Sequence, residues 1–398
     1  MTDQGCGSFL DLRVNDQVVA DDVCLINEGC DIGEYLKGGT GPERMLVVTS
    51  EEKTLLQLVQ QAKSFSCSLG PAMKKVLIPL LSTLPDVEPE DRPVLYACEN
   101  DHNAARNIGK RLQDKVRTSP CMVDRICTGR DIYEEYINVD SEPEFPGCII
   151  MLDPPQPHDL VPFGGPITII PKTKEEAEYF YVRKVSIVNG MHTTLAFLTL
   201  CECSSNAAAE AGESKGAPCA DLSLITDSTA SPEIKAEIWA WVICRCAMLL
   251  EKFGNNLLME AHGFSTEEEV FDELFSYART TLERFNRMSD TTSRVLGGGV
   301  GNRWSTRLRP VAQFMQENDF EGTAPGRLLQ KAGVTEEFAR QATSRLVADS
   351  LGHCSKEVQA TVEGLVEFYK ESNRLPFGER EEREEKVLED AVEVGASI

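Results

Sequence analysis

Lys184, Asn189 and His192 stand close together in an otherwise apolar run, EEAEYFYVRKVSIVNGMHTTLAFLTL (175–200). The run has the spacing of a helix. At about 100° per residue, Asn189 falls about 140° and His192 about 80° from Lys184, so the three share one broad face. Val185, Ile187, Val188, Met191 and Leu195 flank them. Burial disfavours an ammonium, so a Lys held on such a face can serve as a general base. Asn189 can donate to an oxygen whose charge changes during a reaction. His192 can donate to, or accept from, a second hydroxyl. A plainer reading stays open: Lys184 snorkels, Asn189 caps or kinks the helix beside Gly190, and His192 is a satisfied core histidine.

The elements that must carry these residues change character along the chain. Residues 45–170 alternate between strand-like and helical runs. RMLVVTS (44–50), SFSCSLG (64–70) and VLYACEN (94–100) read as strands; EEKTLLQLVQQAK (51–63), PAMKKVLIPLLSTL (71–84) and HNAARNIGKRLQDKV (102–116) read as helices. That alternation predicts a parallel sheet with helices on its faces. Beyond about residue 172 helical patterns dominate, over 174–200, 233–260, 265–288, 304–318, 324–349 and 354–374. The Ala-, Ser- and Gly-rich stretch 203–233 predicts a flexible insertion. The expected domains are therefore 1–172 and an all-α 173–378. Residues 379–398 add a charged terminal helix with Glu-to-basic pairs at four-residue spacing.

The motifs together resemble the mannitol dehydrogenase family of long-chain polyol dehydrogenases. Lys-x4-Asn-x2-His opens the helical part. YACEN (96–100), VDRI (123–126), SCSLGP (66–71), HGF (262–264), LERFNR (282–287) and SRVLGGGVGNRWSTRLRP (293–310) follow the family's order over roughly residues 45–320. YACEN is nearest to the branch acting on mannitol 1-phosphate. The resemblance implies a Rossmann-like α/β domain followed by an all-α domain of the 6-phosphogluconate dehydrogenase type. It also implies an NAD-linked oxidoreductase interconverting a sugar alcohol, or its phosphate, and the keto sugar. On it, Lys184 is the acid/base, Asn189 and Asn100 hold the reacting oxygen, and His192 orients a neighbouring hydroxyl. Asp11 is the acid for the adenosine ribose, and Gly70 and Glu99 lie at the cofactor.

Two features set the chain apart. No Gly-x-Gly-x-x-Gly turn occurs: GCGSFL (5–10), GGTGPER (38–44) and GGGVGN (297–302) all miss the spacing. The α/β domain therefore reads as partial, and an alternative is a non-catalytic sugar-phosphate-binding relative. Arg303 and Arg307 stand one helical turn apart and could clamp a substrate phosphate together.

The 398 residues suffice for two or three domains, and 41% hydrophobic with 26% charged is a globular composition. A formal charge of −24 argues against nucleic acid and anionic membranes as partners, since it would repel both. No apolar run is long enough to span a bilayer, and MTDQGCGSFLDLRV lacks the pattern of a signal peptide. Fourteen scattered cysteines without a Cys-x-x-Cys suit free thiols in the cytoplasm and supply no zinc spacing.

Overall fold

The computed structural model describes residues 8–26, 32–33, 43–48, 51–69, 72–99, 102–142, 147–165, 167–210, 221–297, 299–354, 360 and 391–392. The chain divides into two compact units, Met1–Ala177 with Glu381–Ile398, and Glu178–Arg380.

The first unit is α/β and holds two sheets. One has the order β4-β5-β6 continued by β9 and β10, with β4 Ser64–Cys67, β5 Val94–Cys98, β6 Arg117–Asp124, β9 Cys148–Met151 and β10 Thr168–Ile169. β4, β5 and β6 are parallel neighbours, and β9 runs antiparallel to β6. With α1 (Glu52–Gln61) before β4, α2 (Met73–Leu81) after it and α3 (His102–Arg111) after β5, the stretch β4–α2–β5–α3–β6 is a complete β-α-β-α-β run. All five side chains of β5, VLYAC, are buried. Leu95 and Ala97 pack on one side with Leu77, Leu81, Ile108 and Leu112, while Val94, Tyr96 and Cys98 pack on the other with Cys121 and Met151. A strand covered on both faces must be apolar throughout, which is why this one reads as a continuous hydrophobic run.

The other sheet departs from the expected single parallel layer. Its order is β11-β3-β2-β1-β8-β7, from β1 Phe9–Val14, β2 Gln17–Ile26, β3 Met45–Val48, β7 Cys127–Ile132, β8 Tyr136–Ser141 and β11 Ala391–Val392. β1 and β2 form an antiparallel hairpin. Its two turn residues, Asn15 (φ 51°) and Asp16 (φ 63°), are both left-handed, the geometry of a tight hairpin turn. The Asn15 side chain accepts from the Ser141 amide at 2.8 Å, and Asn138 accepts from the Asp16 amide at 2.9 Å. The charge pattern of 379–398 predicts a helix, but Ala391–Val392 instead pairs antiparallel with β3; the rest of that stretch lies outside the described residues.

The second unit is helical. α4 (Lys174–Lys184) runs through a π-turn, Val185–Asn189, into α5 (Gly190–Glu210). α6 (Pro232–His262) starts on a Ser231 cap and bends at Gly254, whose φ of 73° is non-helical. α7 (Glu267–Asn286) opens with a Thr266/Glu269 capping box. α8 (Thr292–Leu296), α9 (Val300–Arg303), a second π-turn (Trp304–Leu308), α10 (Arg309–Glu317), α11 (Ala324–Lys331) and α12 (Glu336–Ser350) complete it. Ile238, Trp241, Val242 and Leu249 of α6 are buried, each worth about 1.5–3 kcal/mol against exposure. The insertion expected from Cys203 begins later, since α5 continues to Glu210. It also ends earlier: Ser223 bridges Thr291 and the Thr226 carbonyl accepts from the Ala230 amide. Among the described residues no helix is long and apolar enough to cross a membrane, and no cluster of His, Cys, Asp and Glu could hold a metal ion.

Candidate functional site

The π-turn decides where the polar residues of the helical unit point. At Gly190 the amide reaches back to the Val185 carbonyl, five residues earlier, so the turn absorbs one extra residue. Counting that residue out, Asn189 and His192 sit where positions i+4 and i+7 of an ordinary helix would be. Their offsets from Lys184 become about 40° and −20°. The three side chains form one stripe rather than the broad arc expected of a regular helix. Lys184 is buried, while Asn189 and His192 are partly exposed.

His192 is fixed from two sides. Its ring stacks on Phe285 of α7, with centroids 4.7 Å apart and planes at 26°. Its Nε2 lies 2.6 Å from a carboxylate oxygen of buried Asp290. Asp290 also takes both guanidinium arms of Arg294 and the Thr291 amide. Burial works to raise the Asp290 carboxyl, but His192 and Arg294 outweigh it and hold it near 2. Burial drives the His192 imidazole the other way, below its ordinary value, with Arg294 and Arg303 adding to the fall and Asp290 opposing it. A neutral ring with its Nε2 proton turned to Asp290 leaves Nδ1 as an acceptor.

A group of cations surrounds this pair. Arg303 is depressed by burial and by Arg294, and Arg307 is pushed down to about 10 by burial and by Arg303. The clamp expected of Arg303 and Arg307 needs correcting. Arg307 lies across the second π-turn and spends Nη1 on the Asn189 carbonyl (3.1 Å) and the Thr193 hydroxyl (3.0 Å). Arg303 is left without an ion-pair partner among the described residues, and its buried Nε makes no hydrogen bond. Chemically, the set brings together an amine, an amide, an imidazole and a guanidinium without an ion-pair partner among the described residues.

The other expected residues belong to the first unit. Glu99, at the carboxyl end of β5, accepts the Leu69 amide at 2.5 Å and so ties the ends of β4 and β5 together. Asp11 is not at a strand end. It sits within β1, opposite Tyr136, and pairs with Arg13 at 3.3 Å. A ribose acid needs the carboxyl edge of a parallel strand, and the hairpin removes Asp11 from one. Gly70 and Asn100 lie outside the described residues. Asp290, Arg294, Phe285 and Arg245 escaped the sequence reading. Asp290 had a usable signal, a carboxylate four residues before Arg294 at a helix start.

No protein-family model matches the chain. A curated relative, the mannitol-1-phosphate 5-dehydrogenase of Paenarthrobacter aurescens (strain TC1), is 23% identical over 320 residues, which cover 78% of this chain and 72% of that protein. Among solved structures, a PanE/ApbA family ketopantoate reductase from Ralstonia eutropha JMP134 aligns with a TM-score of 0.34 at 10% identity, covering 86% of this chain and 84% of that one. A dimeric ketopantoate reductase from Staphylococcus aureus aligns at 0.30 and 8%, covering 87% and 88%. Scores this low carry no argument about function.

Proposed function

We propose that the chain is an NAD-dependent dehydrogenase interconverting a sugar alcohol phosphate, of the mannitol 1-phosphate type, and its keto sugar. The observation that carries this reading is the single stripe of Lys184, Asn189 and His192 beside the uncompensated Arg303. The similarity to a mannitol-1-phosphate 5-dehydrogenase supports it. Lys184 accepts the alcohol proton. Asn189 donates to the same oxygen, and His192 accepts a neighbouring hydroxyl at Nδ1. Arg303 receives the phosphate. Bound NAD supplies the hydride acceptor.

The residues present fit one half of such a cofactor. The run β4–α2–β5–α3–β6 has the plan of one mononucleotide-binding half, and Glu99 marks its carboxyl edge. Ten of the eleven described cysteines are free thiols, which suits the cytoplasm; Cys203, which is disulfide-bonded, corrects the expectation of free thiols throughout.

A second reading is a sugar-phosphate-binding relative without catalysis. It is favoured by the absence of a Gly-x-Gly-x-x-Gly turn and by the hairpin that holds Asp11. Calorimetric titration with NADH and then with fructose 6-phosphate separates the two. Micromolar binding of both, with turnover lost in Lys184→Ala, is expected. A folded chain that binds fructose 6-phosphate but not NADH would replace the enzyme by the binding protein.

A further inference from the structure

Arg245 is a buried cation without a carboxylate partner among the described residues. Leaving a guanidinium in such a place is costly unless its hydrogen bonds are well spent. Its Nη2 donates to three groups: the Gly190 carbonyl at 3.2 Å, the Thr194 hydroxyl at 2.8 Å and the Arg307 carbonyl at 2.9 Å. Trp241, one turn earlier on α6, lies under it at 5.5 Å.

The Arg307 carbonyl lies within the second π-turn, and Gly190 directly follows the first, with Thr194 one turn further along α5. A π-turn widens the helix by one residue and unsettles the carbonyls around it. The first π-turn ends at Asn189, and the Gly190 carbonyl follows it directly. The second ends at Leu308, where the Arg309 amide reaches back to the Trp304 carbonyl. Pro310 follows and brings no amide of its own, so the local ladder cannot close normally. Arg307 reaches from the second π-turn to the first, and Arg245 reaches from α6 to both. Gly190 makes the contact possible: a Cβ there would sit 2.5 Å from Arg245 Nη1 and 2.7 Å from its Cζ.

We infer that Arg245 is a positioning residue, which braces the two π-turns against each other and so keeps Lys184, Asn189 and His192 on one stripe. Its catalytic part rests on the dehydrogenase reading above; its structural part does not. Without the brace, α4–α5 would relax towards a regular helix. Asn189 and His192 would then turn by about 100° relative to Lys184. Catalysis is far more sensitive to such a turn than binding is.

The test uses the full chain with Arg245→Met and, separately, Gly190→Ala, which drives the same guanidinium away. Hydrogen exchange of the amides over 185–194 is expected to accelerate about tenfold or more in both. With turnover, kcat should fall about 100-fold while KM for NADH holds, and Arg245→Lys should restore part of it. The double variant should cost no more than Arg245→Met alone, because both act on one contact. Unchanged exchange over 185–194 in a folded Arg245→Met or Gly190→Ala chain overturns the inference, and so does kcat within twofold of the wild type. If Arg245→Met does not fold, Gly190→Ala decides by the same two readouts. A wild-type chain without turnover would sink the dehydrogenase reading alone, since the exchange result still judges the brace.

Discussion

His262 gives the helical unit a pH dependence that can be worked out in advance. The ring is enclosed by Tyr179, Phe180 and Phe264, and its Nε2 lies 2.9 Å from the Tyr179 hydroxyl and 3.5 Å from Arg183 Nη1. Both neighbours are donors towards that nitrogen, so Nε2 accepts and the proton sits on Nδ1. Adding a second proton would put a cation in a buried site against Arg183. Burial first, and Arg183 second, lower the imidazole from 6.5 to about 4. The sign follows from proton counting. Above 6.5 the ring is neutral in both folded and unfolded chains, and its contribution to stability is whole. Below 6.5 the unfolded chain takes the proton and the folded one does not, so stability falls until the folded value is reached. The full loss is about 3 kcal/mol, and about 2 kcal/mol is gone by pH 5. The three tryptophans, Trp239, Trp241 and Trp304, all belong to the helical unit, so their fluorescence reports its unfolding alone. Urea titrations at pH 8 and pH 5 should show the wild type losing about 2 kcal/mol more than His262→Gln. Equal losses in the two proteins would refute the buried, Arg183-facing imidazole.

Three further outcomes are expected. Asp290→Asn removes the charge shared by His192 and Arg294. It should destabilise the helical unit by about 3 kcal/mol in urea at pH 7, as loss of a buried charge partner does. Because the Asp290 carboxyl is held near 2, its contribution is whole above about pH 4 and drains away as pH falls towards 2, so the gap between wild type and Asp290→Asn should close over that range. Arg303→Met should leave the thermal midpoint unchanged or higher, since it removes an uncompensated cation. Calorimetry should show at least a tenfold loss of fructose 6-phosphate binding but little change for fructose. Asp16→Gly should stabilise the first unit by about 1 kcal/mol, because Asp16 is exposed and held at φ 63°; an unchanged urea midpoint by far-ultraviolet dichroism would argue against the two-residue turn.

How far the first unit could be read in the sequence depends on whether its signals are local. VLYAC announced β5 because a strand buried on both faces has to be apolar throughout. α1, α2 and α3 were legible from their helical spacing between short apolar runs. Around Asp11 the resemblance misleads, because a ribose acid implies a strand that ends at the nucleotide. Asn15-Asp16 between alternating runs is a hairpin signal, and it places Asp11 away from the edge where a ribose would bind. The partners of β1 and β3 were beyond reach for a different reason. β1 pairs with β8, more than a hundred residues later, and short strands carry no label naming their neighbour.

The site was legible in its residues and not in its geometry. Lys184, Asn189 and His192 stood out because polar groups interrupt an apolar helix, yet regular spacing spreads them over about 140°. That spread was itself the clue. Positions i, i+5 and i+8 fit no helical stripe, but removing one residue between the first two turns them into i, i+4 and i+7, which do. A π-turn is the physical form of that removal, and Gly190 at its end and Pro310 after its counterpart are the local marks it leaves. What no local reading could supply is the brace. Arg245 lies 55 positions from Gly190 and 62 from Arg307, and its carboxylate-free burial becomes explicable only when both are in place. The same holds for Asp290: 98 positions beyond His192, it determines which imidazole nitrogen is free to meet a hydroxyl. A spacing that fits one helical geometry badly and a neighbouring geometry well is therefore grounds for placing a π-turn, and for asking which distant cation donates to the carbonyl groups around it.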